Sequence, residues 1–341
     1  AMAGTILAAV LLSFYVIWLI RLAPAYGELS RMTGNITVRF IGLFFLLYVI
    51  LSAAFLADLL AKVIPQSLIS GISGKWLSLL AVAACSLGTH RGMQRRGRIA
   101  EISGGIFLAG ILLLTILSAG QGKAEYFLET VEGTGSRFSG KWMIRDVYAF
   151  LCVFSGVGLL PFGLEKVEKQ GSARKPVILA FLTVCGIVLG MQVLLPAVFG
   201  KNRLLAETYP VLPLLDGADL PGNVLARFDV IWMGILVFGL LFSVGSLLHY
   251  GDQILKNARL GTGRYWLAGA AYAVSLTKVK GLGIGQIFEP YLEYVFLPGL
   301  LLLQIFLMVR NRGKWKKKGP AAAGMVLSMC LFAGGCGGVE P

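Results

Sequence analysis

Residues Val38–Ala61 read VRFIGLFFLLYVILSAAFLADLLA, a run of 24 in which only Arg39 and Asp58 carry charge. About 20 predominantly apolar residues suffice for a helix to cross the hydrocarbon core of a bilayer. The whole chain repeats this character. Hydrophobic residues make up 57% of it, charged residues 14%, and mean hydropathy is +0.78, against roughly 25% charged in a soluble domain. A water-soluble fold of this length could not hide so much apolar surface, because much of any surface faces water. Lipid removes that difficulty, provided the backbone satisfies its own hydrogen bonds. The chain is therefore read as an all-α polytopic membrane bundle.

Working outward from Val38–Ala61, the same criterion marks about nine spans: Gly4–Ile20, Val38–Ala61, Leu68–Leu87, Ile102–Ala119, Val147–Phe162, Pro176–Phe199, Val230–Leu255, Tyr265–Leu276 and Tyr294–Val309. The third contains Lys75 and two glycines. The eighth is short and is closed by Lys278 and Lys280.

Loop charges give the orientation. Most of the 31 lysines and arginines fall in alternate loops: Arg21, Arg31 and Arg39; Arg91, Arg95, Arg96 and Arg98; Lys166, Lys169, Arg174 and Lys175; Lys256, Arg259 and Arg264; then Arg310 to Lys318. The remainder are mixed with acids such as Glu125, Glu129, Glu132, Asp146, Glu207, Asp216 and Asp219 in longer loops. The positive-inside rule places the first set in the cytoplasm. Residue 1 then lies outside, which is awkward for a first span without a signal peptide and leads to the expectation that one further helix precedes this sequence. The net charge of +14 is explained by topology rather than by nucleic acid.

Two outer loops are long. Gln121–Asp146 is polar and glycine-rich; Lys201–Asp229 holds Pro210, Pro213 and Pro221 and reads as a lid or an ordinary outer loop. Beyond a membrane domain of residues 1–318, residues 319–341 form a short apolar tail of small residues ending near Cys336, with the outline of a lipoprotein signal peptide. Ala333-Gly334-Gly335 before that cysteine departs from the usual pattern, and a poorly formed tenth span is the competing reading.

No catalytic constellation stands out, and no cofactor is implied. The five cysteines show no metal spacing, and His90 and His249 are isolated. Gly281-Leu282-Gly283-Ile284-Gly285 lacks the strand and helix of a nucleotide loop.

The informative span is the fifth. Ser155, Gly156 and Gly158 lie in its middle and Pro161 follows. Glycine weakens a helix and proline removes a backbone donor, so an interrupted helix is expected. In transporters such breaks lie near the midplane, where freed amides can bind a carboxylate. A small amino-acid-like ligand suits that chemistry; close helix packing through glycine is the alternative. Tyr148, Phe150, Ser155, Gly156 and Gly158 are the first candidates for ligand binding. Tyr48, Ser243 and Ser246 follow, as polar groups within apolar spans, although serines there often bond to their own backbone. Asp58 reads as a solvated helix end, and Gly186 with Gly190 as a packing pair.

Several segments carry a family resemblance. Glu207-Thr208-Tyr209-Pro210-Val211-Leu212 leads through Asn223-Val224-Leu225-Ala226-Arg227-Phe228-Asp229 into Val230-Ile231-Trp232. With Leu159-Leu160-Pro161-Phe162 and Leu194-Leu195-Pro196-Ala197-Val198-Phe199-Gly200, this resembles the spore germination permease family, the permease-like B subunit of the spore germinant receptor in the amino acid–polyamine–organocation superfamily. The resemblance implies a ten-helix fold of two inverted five-helix repeats, of which this chain would lack the first helix and carry the broken sixth as its fifth span. It also implies a small nutrient germinant, commonly an amino acid; partners in a larger membrane subunit and a lipoprotein subunit; and a place in the spore inner membrane. The tail from Cys336 then resembles the mature start of the lipoprotein partner. A secondary transporter for amino acids and a ligand-free scaffold are the other readings.

Overall fold

In a computed structural model, residues 2–27, 34–67, 71, 73–89, 92–135, 140–164, 167, 173–207, 209–216, 228–278 and 281–310 are described. The tail from Gly319 to Pro341, the stretch Asn223–Arg227 and the basic residues Arg31, Arg91, Lys166 and Lys169 lie outside these residues.

The described residues form helices and turns without a β-sheet. In order they are α1 (Met2–Gly27), α2 (Asn35–Ser67), α3 (Gly74–Gly88), α4 (Gly92–Ala119), α5 (Ala124–Gly135), α6 (Gly140–Val153), a 3-10 segment (Phe154–Leu159) and α7 (Leu160–Leu164). Then come α8 (Arg174–Ala206), α9 (Val211–Asp216), α10 (Phe228–Asn257), α11 (Arg264–Leu276), α12 (Ile284–Tyr291), a π segment (Leu292–Phe296) and α13 (Leu297–Arg310).

Seven stretches among the described residues are long and apolar enough to cross a membrane: Ala3–Ala23, Asn35–Pro65, Gln94–Ala119, Met143–Leu164, Arg174–Ala206, Val230–Asn257 and Ile284–Leu307. Each overlaps an expected span, the last beginning ten residues before the expected start at Tyr294. The other two of the nine are helical but short. α3 has 15 residues and α11 has 13, which at 1.5 Å per residue gives about 20 Å against a hydrocarbon core of about 30 Å. The all-α polytopic bundle thus holds: among the described residues seven of the expected spans are of full membrane length and two are met by shorter helices.

The chain divides into two compact units. The first comprises residues 1–34, 137–189 and 287–341, and the second residues 35–136 and 190–286. In the first unit α1 packs on α6 and α7. Ala8, Leu12, Val16 and Ile20 lie four residues apart, so they share one face of α1. They are buried with Val147, Phe150 and Leu151 of α6, Phe181 and Cys185 of α8, and Leu297 of α13.

In the second unit α2 is the hub, against α10, α11 and α3. Phe45, Val49, Ala53 and Ala57 repeat every four residues and are buried. Small residues bring the helices close, as is common between membrane helices. A Cβ on Gly42 would lie 2.7 Å from the Ala258 Cβ, and one on Gly251 would lie 2.9 Å from a Leu267 methyl and 3.1 Å from Val49. Gly186 and Gly190 behave otherwise: a Cβ at either meets no described atom within 4 Å. The packing expected of that pair is not formed among the described residues. α8 also breaks at Gly200, whose φ of 67° and ψ of 171° are non-helical, four residues after Pro196.

Candidate functional site

The fifth span is interrupted, though by tightening rather than by unwinding. α6 gives way at Phe154 to six residues of 3-10 helix, and α7 resumes at Leu160 with helical φ and ψ. Pro161 supplies the physical reason. It has no N–H, so the Val157 carbonyl lacks its α-helical donor four residues on. The Leu160 N–H bonds to Val157 O instead, closing the shorter turn. Gly156 and Gly158 add no side chain to oppose it.

A second irregularity lies in the same unit. The Leu297 N–H reaches back five residues to Leu292 O, the mark of the π turn. Residue 298 is proline and has no N–H. The Glu293 carbonyl therefore receives no helical donor from residue 297 or 298. The Tyr148 hydroxyl, on α6, donates to that oxygen. Single π turns inside helices are often found at functional sites.

The candidate residues on this span occupy distinct surroundings. Phe150 is buried, its ring stacked on Phe154 with centroids 4.6 Å apart, and Phe154 meets Phe181 edge-on at 5.9 Å. Gly158 packs beneath Leu300, and a Cβ there would lie 2.9 Å from a Leu300 methyl. Gly156 is half-buried. Ser155 is 4% exposed. Its hydroxyl has no hydrogen-bond partner among the described residues, and a buried hydroxyl left so is costly. It adjoins a cavity of about 10 Å³ bordered by Leu11, Tyr15, Leu151, Leu297 and Leu300, close to the lower limit for one water. Nearby in the unit, fully buried Gln304 donates from Nε2 to the Tyr26 hydroxyl at 2.8 Å, and Tyr26 stands edge-on to Phe162.

The remaining candidates belong to the second unit. Tyr48 is buried on α2. Ser243 is exposed and donates to Gly239 O at 2.8 Å. Ser246 donates to Phe242 O at 2.8 Å and accepts from Arg96 Nη2 at 2.8 Å. Both serines make the backbone bond typical of membrane helices. Asp58 pairs with Lys62 at 2.7 Å one turn away, where Lys62 is half-exposed.

Sequence reasoning passed over three groups. Arg96 was counted only as a loop charge, although it lies within a membrane-length helix. Gln304 stands alone in an apolar run, which was a usable signal. Asp252, at the basic end of α10, is nearly buried. It binds Lys256 at 2.7 Å and accepts from the Gly263 N–H at 3.2 Å, with Arg264 at 3.8 Å. Gly263 is the N-cap of α11, so Asp252 supplies an acceptor to a helix start that lacks one of its own. Among the described residues no group of three histidine, cysteine, aspartate or glutamate side chains could hold a metal ion.

Seven long apolar helices among the described residues define a polytopic α-helical integral membrane protein, one of whose spans is interrupted. The family model for spore germination proteins, Spore_permease, matches residues 2–257, three-quarters of the sequence, and the chain belongs to that family. No curated relative matches it.

Proposed function

We propose that the chain is the permease-like subunit of a spore germinant receptor. It binds a small amino-acid-like germinant in the spore inner membrane and acts with a larger membrane subunit and a lipoprotein subunit. The observation that carries this reading is the family match over residues 2–257, falling on a chain whose fifth span is interrupted around an unpartnered, buried Ser155 hydroxyl.

The proposed ligand-binding residues are Tyr148, Phe150, Ser155, Gly156 and Gly158, with Tyr48, Ser243 and Ser246 as a second group. The cavity beside Ser155, about 10 Å³, is smaller than an amino acid. Germinant binding there is therefore coupled to opening of the helices around it. A ligand that binds only the opened form shifts the population toward it, and that shift is the signal.

The test is germination of spores lacking this gene, followed by loss of optical density across a panel of single amino acids. Loss of the response to one or a few of them, restored by the intact gene, is the expected result. An unchanged response in a strain with no second receptor would overturn the receptor reading. Uptake of labelled amino acid into vesicles would then be the next measurement, for a secondary transporter.

A further inference from the structure

Arg96 lies in the basic first turns of α4, just ahead of its apolar stretch, and no ion pair among the described residues involves it or its neighbours Arg95 and Arg98. Its Nη2 donates to the Phe242 carbonyl at 2.7 Å and to Ser246 Oγ at 2.8 Å on α10. The guanidinium carbon stands 4.9 Å from the centre of the Phe242 ring. A Cβ on Gly245 would come within 2.9 Å of Nη1, so the absence of a side chain there makes room for the guanidinium. Both hydrogen bonds use Nη2 and leave Nη1 and Nε for a ligand. The nearest acid along α4 is Glu101, which is exposed and leaves the arginine cluster net positive. A cluster of arginines at the membrane edge without a counter-ion favours an anionic ligand.

An apolar groove of about 480 Å³ begins one turn beyond Arg96, bordered by Ile99, Ile102 and Ile106 of α4 and Ile231, Ile235 and Phe238 of α10. This volume falls among ligand-sized clefts, about 300–1,000 Å³. The groove is open, with Ile102 71% exposed. A ligand that answers both features has one anionic head and a long apolar tail. Free phosphate or an amino acid would leave the groove empty. With all nine expected spans counted as crossings, the loop-charge bias sets the Gly92–Arg98 end of α4 on the cytoplasmic side, where the leaflet carries anionic lipid and where basic pockets between helices bind phospholipid head groups.

We propose that this groove is a binding site for an anionic phospholipid of the cytoplasmic leaflet. Its phosphate is held by Arg96, flanked by Arg95 and Arg98, and an acyl chain lies along Ile99, Ile102 and Ile106. With Nη2 committed to α10, Nη1 and Nε can each give a single charge-assisted bond to a phosphate oxygen, and such a bond is stronger than a neutral one. The bound lipid would bridge α4 to α10. The site shares Ser246 with the second group of proposed germinant residues, but lipid retention is read without germinant, so the two readings fail separately.

The experiment takes the full chain in detergent and titrates phosphatidylglycerol, phosphatidylcholine with the same acyl chains, or glycerol phosphate. Lipid retention is read by native mass spectrometry and stability by thermal melting. Phosphatidylglycerol is retained and raises the melting temperature, and the other two do neither. Arg96→Gln weakens retention about tenfold, the loss of one charged hydrogen bond. Ile102→Trp, at an exposed position, fills the groove and blocks retention with Arg96 intact, so the test survives if Arg96→Gln does not fold. Equal retention of the two lipids, or retention unchanged in both variants, overturns the proposal. A photo-crosslinking residue at position 102 forms a phospholipid adduct in native membranes; a protein adduct would assign the groove to a partner chain instead.

Discussion

The Tyr148 hydroxyl donates to the Glu293 main-chain carbonyl, 145 residues away in sequence. The bond joins the helix that leads into the 3-10 segment to the π turn, whose carbonyl Pro298 leaves without a helical donor. Two helical irregularities in one unit are thus mechanically linked through one side chain.

Tyr148→Phe removes that donor and nothing else of size. An unsatisfied carbonyl in an apolar setting costs about 1–3 kcal/mol. The variant should melt several degrees below the parent in the same detergent, and the melting curve checks it. An unchanged curve would mean the carbonyl finds another donor.

Ser155→Ala separates packing from binding. The hydroxyl has no partner among the described residues, so its removal should leave stability unchanged or slightly raised, since a buried unpaired hydroxyl is unfavourable. On the proposed function the germination response weakens in spite of that. Spores carrying the variant, with the receptor level measured by immunoblot, give the answer; a normal response removes Ser155 from the binding residues.

Gly158 is held close to Leu300. Gly158→Ala meets only the movable end of a leucine and should be mild. Gly158→Val overpacks and should cost about 1–3 kcal/mol. Combining Gly158→Val with Leu300→Ala should recover part of the loss, and a double-mutant cycle of melting temperatures would show the coupling.

Pro161→Ala returns an N–H to the turn and lets the Val157 carbonyl regain its α-helical donor. The 3-10 segment should relax toward α-helix, with amides near 157–161 better protected in hydrogen exchange. If the interruption serves germinant response, that response falls while expression holds.

Two ion pairs should differ. Asp252 is nearly buried and also accepts from the Gly263 N–H, so Asp252→Ala should cost about 1–3 kcal/mol. The Asp58–Lys62 pair is more exposed, and Lys62→Ala should cost under about 1 kcal/mol, as surface pairs do. Melting of the two single variants under one condition tests the ranking.

The seven long spans were legible because hydrophobicity adds up locally. Val38–Ala61 announces a membrane helix without reference to any other residue. The helical interruption was legible for the same reason, since Gly156, Gly158 and Pro161 act on their own backbone. Its form was not, because whether a freed carbonyl is answered by tightening or unwinding depends on what surrounds it. Leu68–Leu87 and Tyr265–Leu276 were apolar enough to be taken for full spans, but Gly74 and Arg264 set helix starts that leave 15 and 13 residues.

By itself, then, the sequence determined the solvent, the helical class, the positions of the long spans and the interruption of the fifth, all of them properties of residues within a few turns of one another; the π segment and the break at Gly200 were not read from it. Tertiary structure alone decided which polar groups meet: Tyr148 with Glu293, Gln304 with Tyr26, and Arg96 with Phe242 and Ser246. Those pairings depend on the rotation and register with which separate helices pack, helped by small residues such as Gly42 and Gly251 at close approaches, and no local pattern encodes them.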